Sequence, residues 1–156
     1  MNNETQVEFV SHDPAQTRML GTRLGTLLRA GDCLALCGPL GAGKTCLVSG
    51  VAEGMGVEGR VASPSFIIMR AHSGPVWLYH ADAYRIADAE ELVEAGLDEW
   101  LLNGVVALEW AERAETILPK GALTITMAYS EEGRTIRICA RSDRGRELLA
   151  ALDDKR

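Results

Sequence analysis

The chain has 156 residues, 47 % of them apolar but only 5 % aromatic, so one domain spanning 1–156 with a largely aliphatic core is expected. No apolar run approaches the roughly 18 residues of a membrane span, and "MNNETQVEFV" lacks the basic-then-apolar pattern of a secretory signal, so a cytoplasmic protein is expected. The formal net charge of -6 excludes general attraction to nucleic acid over the whole surface.

In chain order, "TQVEFV" (5–10) alternates and reads as a strand. Asp13-Pro14 has the form of an N-cap followed by proline in the first turn. Leu20, Leu24, Leu27 and Leu28 then make a helical stripe that Gly31 ends. "CLALC" (33–37) is wholly apolar, the pattern of a strand buried on both faces. Cys33 and Cys37 lie about 13 Å apart on such a strand, too far for a disulfide or a shared metal. With Cys46 and Cys139 standing alone, the four cysteines read as small buried hydrophobes.

A helix is predicted from Lys44 to Met55. "FIIMRAH" (66–72) and "VWLYHAD" (76–82) flank Ser73-Gly74-Pro75 and should pair as an antiparallel hairpin. Asp88 with Glu91 has the capping-box spacing of a short helix. "VVALEW" (105–110) is another buried strand, and "ALTITMAY" and "TIRICA" form a second hairpin around Ser130–Gly133. Ser142 caps a last helix that runs to about Leu152. Arg134, Arg137, Arg141, Arg144 and Arg146 crowd this end and read as a solvated face. Early alternation of strands and helices, then hairpins, predicts a mixed, partly parallel sheet with helices on both faces.

"CGPLGAGKT" (37–45) has the form G-x-x-x-x-G-K-[ST] of the phosphate-binding loop. Gly38, Gly41 and Gly43 let the backbone curl so that its N–H groups point into an anion-sized hollow. The helix that opens at Lys44 adds its positive dipole end. Lys44 would reach the β- and γ-phosphates, and the Thr45 hydroxyl would sit on Mg²⁺. Ala42 and Cys46 complete the expected ATP-binding stretch. No N-K-x-D run announces a guanine site, which favours ATP over GTP.

Such a loop needs a second anchor for its metal, an acid at a neighbouring strand end. Glu109 ends "VVALE" and Asp82 ends "WLYHAD"; either could serve. His80 shares a strand face with Asp82 and is either its orienting partner or a satisfied core residue. Trp110 either shields the site or packs the core. In "VASPSF" (61–66), Ser63 and Ser65 could meet the γ-phosphate or Mg²⁺ as a switch loop stiffened by Pro64.

The ordered set "GPLGAGKT", "SPSF", "HADAYR" and "LEWAE", with "AEELVEAGLDEWL", resembles the bacterial TsaE (formerly YjeE) family of tRNA threonylcarbamoyladenosine biosynthesis proteins over nearly the whole chain. The resemblance implies a P-loop NTPase-type three-layer α/β sandwich that binds ATP with Mg²⁺ and hydrolyses it weakly alone. It implies work with TsaB and TsaD, which modify adenosine 37 of tRNAs, by resetting or licensing that complex without forming the new bond. tRNA would be met only through the complex, and no membrane is implied. Lys44 and Thr45 take the loop roles, Thr45 and Glu109 become Mg²⁺ ligands, and Asp82 becomes necessary for hydrolysis through metal or water. Trp110 becomes functional, and the segments near Asp13 and around Gly133 and Arg134 approach adenine. Pro39 stands where the family often has Asp, and Ser65 where it usually has Thr. A small-molecule P-loop kinase and a non-catalytic nucleotide-binding partner remain alternatives.

Overall fold

The computed structural model describes residues 4–64 and 67–154. Seven strands form one sheet: β1 (Thr5–Ser11), β2 (Cys33–Cys37), β3 (Met69–His72), β4 (Trp77–Asp82), β5 (Gly104–Glu109), β6 (Leu123–Ser130) and β7 (Gly133–Ala140). Their spatial order is β1-β7-β6-β2-β5-β4-β3. The central β6, β2, β5 and β4 run parallel, while β7 and β1 on one margin and β3 on the other are joined antiparallel. The helices are α1 (Pro14–Gly25), α2 (Lys44–Gly54), α3 (Glu90–Ala95), α4 (Leu97–Asn103) and α5 (Asp143–Asp154).

Both faces of the central strands are covered, as the apolar run in β2 requires. Leu34 and Leu36 join Val105, Ala107, Ile125 and Met127 under α1, α2 and α5. Cys33 and Ala35 join Val106 and Leu108 under Leu92 of α3 and Trp100 of α4. Because side chains alternate along a strand, Leu78, His80 and Asp82 of β4 face the α2 side, as do Val105, Ala107 and Glu109 of β5.

The helices α1 and α2 approach to backbone contact through two glycine pairs spaced four apart. A Cβ at Gly50 would lie 2.0 Å from the Arg18 carbonyl oxygen, and one at Gly54 would lie 2.1 Å from that of Thr22. From the other side, a Cβ at Gly21 would lie 2.3 Å from the Leu47 oxygen and one at Gly25 would lie 2.2 Å from the Val51 oxygen. No larger residue fits this seam without moving a helix. The seam sets the two helix N-termini side by side, and Cys46 Sγ donates to the Pro14 carbonyl at 3.3 Å.

Several local expectations are met. Asp13 caps α1 by accepting from Gln16 N–H at 2.8 Å, and Ser142 caps α5 by accepting from Gly145 N–H at 2.9 Å. Others need correction. The first helix ends at Gly25, not Gly31, because Arg144 takes the Leu27 carbonyl and Asp32 takes the Arg29 N–H; Leu27 and Leu28 pack from a turn instead. α3 begins at Glu90 without a side-chain cap, so Asp88 contributes only its carbonyl, to Glu91 N–H. β3 begins at Met69; Phe66 lies outside the described residues, and Ile67 and Ile68 precede the strand in a bend.

Of the four cysteines only Cys33 is buried, and burial pushes its thiol up to about 12. Of the C-terminal arginines, Arg137 and Arg141 are exposed as expected, whereas Arg144 and Arg146 are half-buried, and each of the four is paired with an acid. Arg137 pairs with Glu8, Arg141 with Glu4, Arg144 with Asp32 and Arg146 with Asp143. Among the described residues, no helix is long and apolar enough to cross a membrane.

Candidate functional site

The glycine-rich loop joins β2 to α2 beyond the carboxyl ends of the parallel strands, where open α/β sheets bind ligands. Its curl is real: Gly38, Gly41 and Gly43 have φ of 142°, 78° and 107°. Gly38 also needs to lack a side chain, since a Cβ there would lie 2.4 Å from the Met127 carbonyl oxygen. Among the described residues no side chain caps α2, which leaves its first N–H groups free of a side-chain partner at the loop.

Lys44 is buried, and its ammonium donates to the carbonyls of Gly38 (2.6 Å) and Pro39 (2.9 Å). It also lies 4.2 Å from the centre of the Trp110 ring. Burial lowers its pKa, against the opposing charges of Glu109, Glu112 and Asp82.

Glu109 is only 3 % exposed. The Thr45 hydroxyl lies 3.0 Å from each of its carboxylate oxygens. Fully buried His80 approaches Oε2 through Nε2 at 2.5 Å, and since a carboxylate only accepts, Nε2 carries the proton. His80 Nδ1 is buried and has no partner among the described residues. The histidine on the β4 face thus serves Glu109 across the sheet, not its own-strand neighbour Asp82. Asp82 is paired with Glu109 in strand register, and its Oδ1 accepts from Tyr84 N–H at 2.8 Å. Burial raises the pKa of Asp82; the Tyr84 bond opposes this, and the charge of Glu109 adds to it.

Trp110 packs at the edge of the core cluster under α3 and α4 and faces the site as well. It is half-buried and has φ of 57°, the one non-glycine residue with positive φ among those described. This turn carries its ring onto Lys44 and to 4.9 Å from the Tyr84 ring. It also aims Glu112 back at the loop, where the carboxylate accepts from Gly38 N–H at 3.2 Å. Backbone strain at a strand tip is thereby tied to the position of the loop.

A cavity of about 450 Å³ is lined by Lys44, Thr45, Ser63, Asp82, Glu109 and Trp110. Beside it, sharing Gly41, Gly43 and Cys46, lies a cavity of about 170 Å³ that Asp13, Ala42, Gly133 and Arg134 also border. Arg134 reaches the loop by donating to the Gly41 carbonyl at 3.3 Å and stacks over Tyr129, whose hydroxyl donates to the Leu40 carbonyl. Every site residue from the sequence thus borders one of two adjoining cavities or touches a residue that does, except Ser65, which lies outside the described residues. Sequence reasoning missed Glu112, Tyr129 and His12. Glu112 stands inside the quoted "LEWAE", but nothing in the string signals a bond to Gly38.

Among the described residues, no three His, Cys, Asp or Glu side chains cluster as an all-protein metal cage. A hydroxyl beside a buried carboxylate, with a second carboxylate on the next strand tip, is instead an oxygen donor set suited to magnesium, which keeps waters and phosphate oxygens in its shell.

A buried strand, a glycine loop opening a helix, and carboxylates on adjoining strand tips define a P-loop NTPase-type α/β protein. Comparison with known proteins narrows this. The family model described as "Threonylcarbamoyl adenosine biosynthesis protein TsaE" matches residues 11–136. The TsaE protein of Treponema pallidum is 38 % identical over 125 residues, covering 80 % of this chain and 93 % of that protein. That of Bacillus subtilis is 36 % identical over 150 residues, 94 % of each. The crystal structure of Bacillus subtilis YdiB superposes with a TM-score of 0.82 at 32 % identity, covering 99 % of this chain and 97 % of that one. The chain belongs to the TsaE family.

Proposed function

We propose that the protein is a magnesium-dependent ATPase that acts as a switch on a TsaB–TsaD complex during threonylcarbamoyl modification of tRNA adenosine 37. The observation that carries this is the placement of the Thr45 hydroxyl 3.0 Å from both oxygens of Glu109, in one cavity with Lys44 and Asp82. The loop amides and the α2 N-terminus hold the β- and γ-phosphates. Lys44, now on the Gly38 and Pro39 carbonyls, swings to the phosphates and neutralises charge there. Thr45 and Glu109 would hold the magnesium ion, which when bound withdraws charge from the β- and γ-oxygens. His80 fixes Oε2 of Glu109 so that Oε1 has one orientation.

Asp82 borders the same cavity and orients the attacking water in line with the γ-phosphate. Nothing in this scheme forms a carbon–nitrogen bond, so the protein's product is ADP, phosphate and a changed conformation. The partners are the proteins TsaB and TsaD, with tRNA reached only through them, in the cytoplasm. The test is phosphate release with and without TsaB–TsaD. Acceleration by the pair supports the switch; no acceleration counts against it, and a phosphorylated small acceptor in place of free phosphate would support a kinase instead.

A further inference from the structure

The residue that opens the phosphate loop is held at its Cα, its carbonyl and its N–H. Gly38 lies against β6, where a Cβ would come within 2.4 Å of the Met127 carbonyl oxygen. Its carbonyl accepts from the Lys44 ammonium at 2.6 Å. Its N–H donates to Glu112 Oε2 at 3.2 Å. The Lys44 bond is the one that the proposed function breaks, because there Lys44 leaves that carbonyl for the phosphates. Behind the root of the loop the wall is open. A cavity of about 620 Å³ is bordered by Cys37, the residue before Gly38, and by Ala111 and Glu115.

Glu112 stands on a firm base. It belongs to the short turn Ala111–Arg113. Arg113 N–H donates to the Trp110 carbonyl at 3.0 Å, Ala114 N–H donates to that of Ala111 at 2.9 Å, and both alanines are fully buried. The turn also meets the residue before the loop. Burial and then the Glu112 charge push the Cys37 thiol up to about 11, while Glu112 N–H, donating to Sγ, opposes this. One turn thus holds the loop at both ends: the Trp110 ring lies on Lys44 at its close, and Glu112 bonds Gly38 at its start.

We propose that Glu112 is a positioning residue for the phosphate loop: its carboxylate keeps Gly38, and with it the root of the loop, in place when Lys44 swings to a bound triphosphate. This rests on the reading of the loop as the triphosphate site. A bond to an ionised acceptor is stronger than a neutral one, and a loop already held in its binding conformation loses less freedom when the ligand arrives. What Glu112 supplies is an acceptor. Glutamine carries one at the same reach, and alanine carries none.

The experiment is calorimetric titration of ATP with magnesium into the wild-type protein, Glu112→Gln and Glu112→Ala, with exchange of the Gly38 amide followed by NMR in the same three proteins without nucleotide. Glu112→Ala is expected to bind ATP about fivefold more weakly and to exchange the Gly38 amide about tenfold faster. Glu112→Gln should stay within about twofold of the wild type in both readings. Equal affinity in the wild type and Glu112→Ala, an equal loss in both variants, or one exchange rate for Gly38 in all three proteins would each overturn the assignment while leaving the triphosphate site standing. Failure of ATP to bind the wild type would overturn both.

Discussion

The two adjoining cavities are assembled in contrasting ways. At the phosphate end, one stretch of nine residues, 37–45, provides the loop, the lysine and the hydroxyl, and two buried parallel strands bring acids to its edge. At the other end, His12 and Glu132 meet across 120 residues of sequence, held by a helix cap, a tight turn and the glycine seam of α1 and α2. The first end is backbone and buried charge; the second is exposed side chains on surface turns. Chemistry should therefore be sensitive to single atoms at the phosphate end, and affinity and selectivity to modest changes at the other.

The largest effect is expected from Glu109→Gln, which keeps size and a Thr45 contact but removes the charge. Turnover should fall roughly 100- to 1,000-fold, with ATP still bound. Phosphate release and calorimetry on one preparation check this; if binding vanished in parallel, Glu109 would be building the pocket and not serving the reaction. Next is His80→Ala. Losing the bond that fixes Oε2 should raise the magnesium concentration for half-maximal turnover by about 10- to 100-fold. A magnesium titration unchanged by the substitution would reduce His80 to packing.

The seam that joins the two ends can be tested by stability. Gly50→Ala places a methyl against the Arg18 carbonyl and should cost about 1–3 kcal/mol, lowering Tm by about 2–12 °C. An unaltered melting curve would mean that the helices separate freely and do not couple the cavities. The smallest effect concerns Asp82. Burial raises its folded-state pKa above the unfolded value, so the folded protein binds its proton more readily. Stability from this group is then fully present below the unfolded pKa and is lost as pH rises through the folded one. Asp82→Asn should melt slightly higher than the wild type at pH 7, with the gap closing towards pH 4. A gap that widened on acidification would contradict the burial argument.

The same contrast explains what the sequence could reveal. The glycine loop, its lysine and threonine, and the acids at the ends of "VVALE" and "WLYHAD" are contiguous or lie at the ends of apolar runs, so spacing alone exposes them. The apolar runs of β2 and β5 announced two central strands, whereas the order that sets β6 and β4 beside them is fixed by tertiary packing and was not readable. The partner of His80 was not readable, because alternation assigns a face within one strand but not the neighbour across it. Trp110 stayed open between shielding the site and packing the core because apolarity alone does not separate the two; a left-handed turn lays its ring on Lys44 while its side chain still packs at the core's edge. The glycine pairs 21/25 and 50/54 were visible as spacing, but only their apposition gives them meaning.

The most direct measurement of the central claim is calorimetric titration of ATP with magnesium into the pure, folded protein, beside Lys44→Ala. The account predicts saturable heat with about one nucleotide per chain and an affinity weakened at least tenfold in the variant. No heat in the wild type, or equal affinity in both, would contradict it.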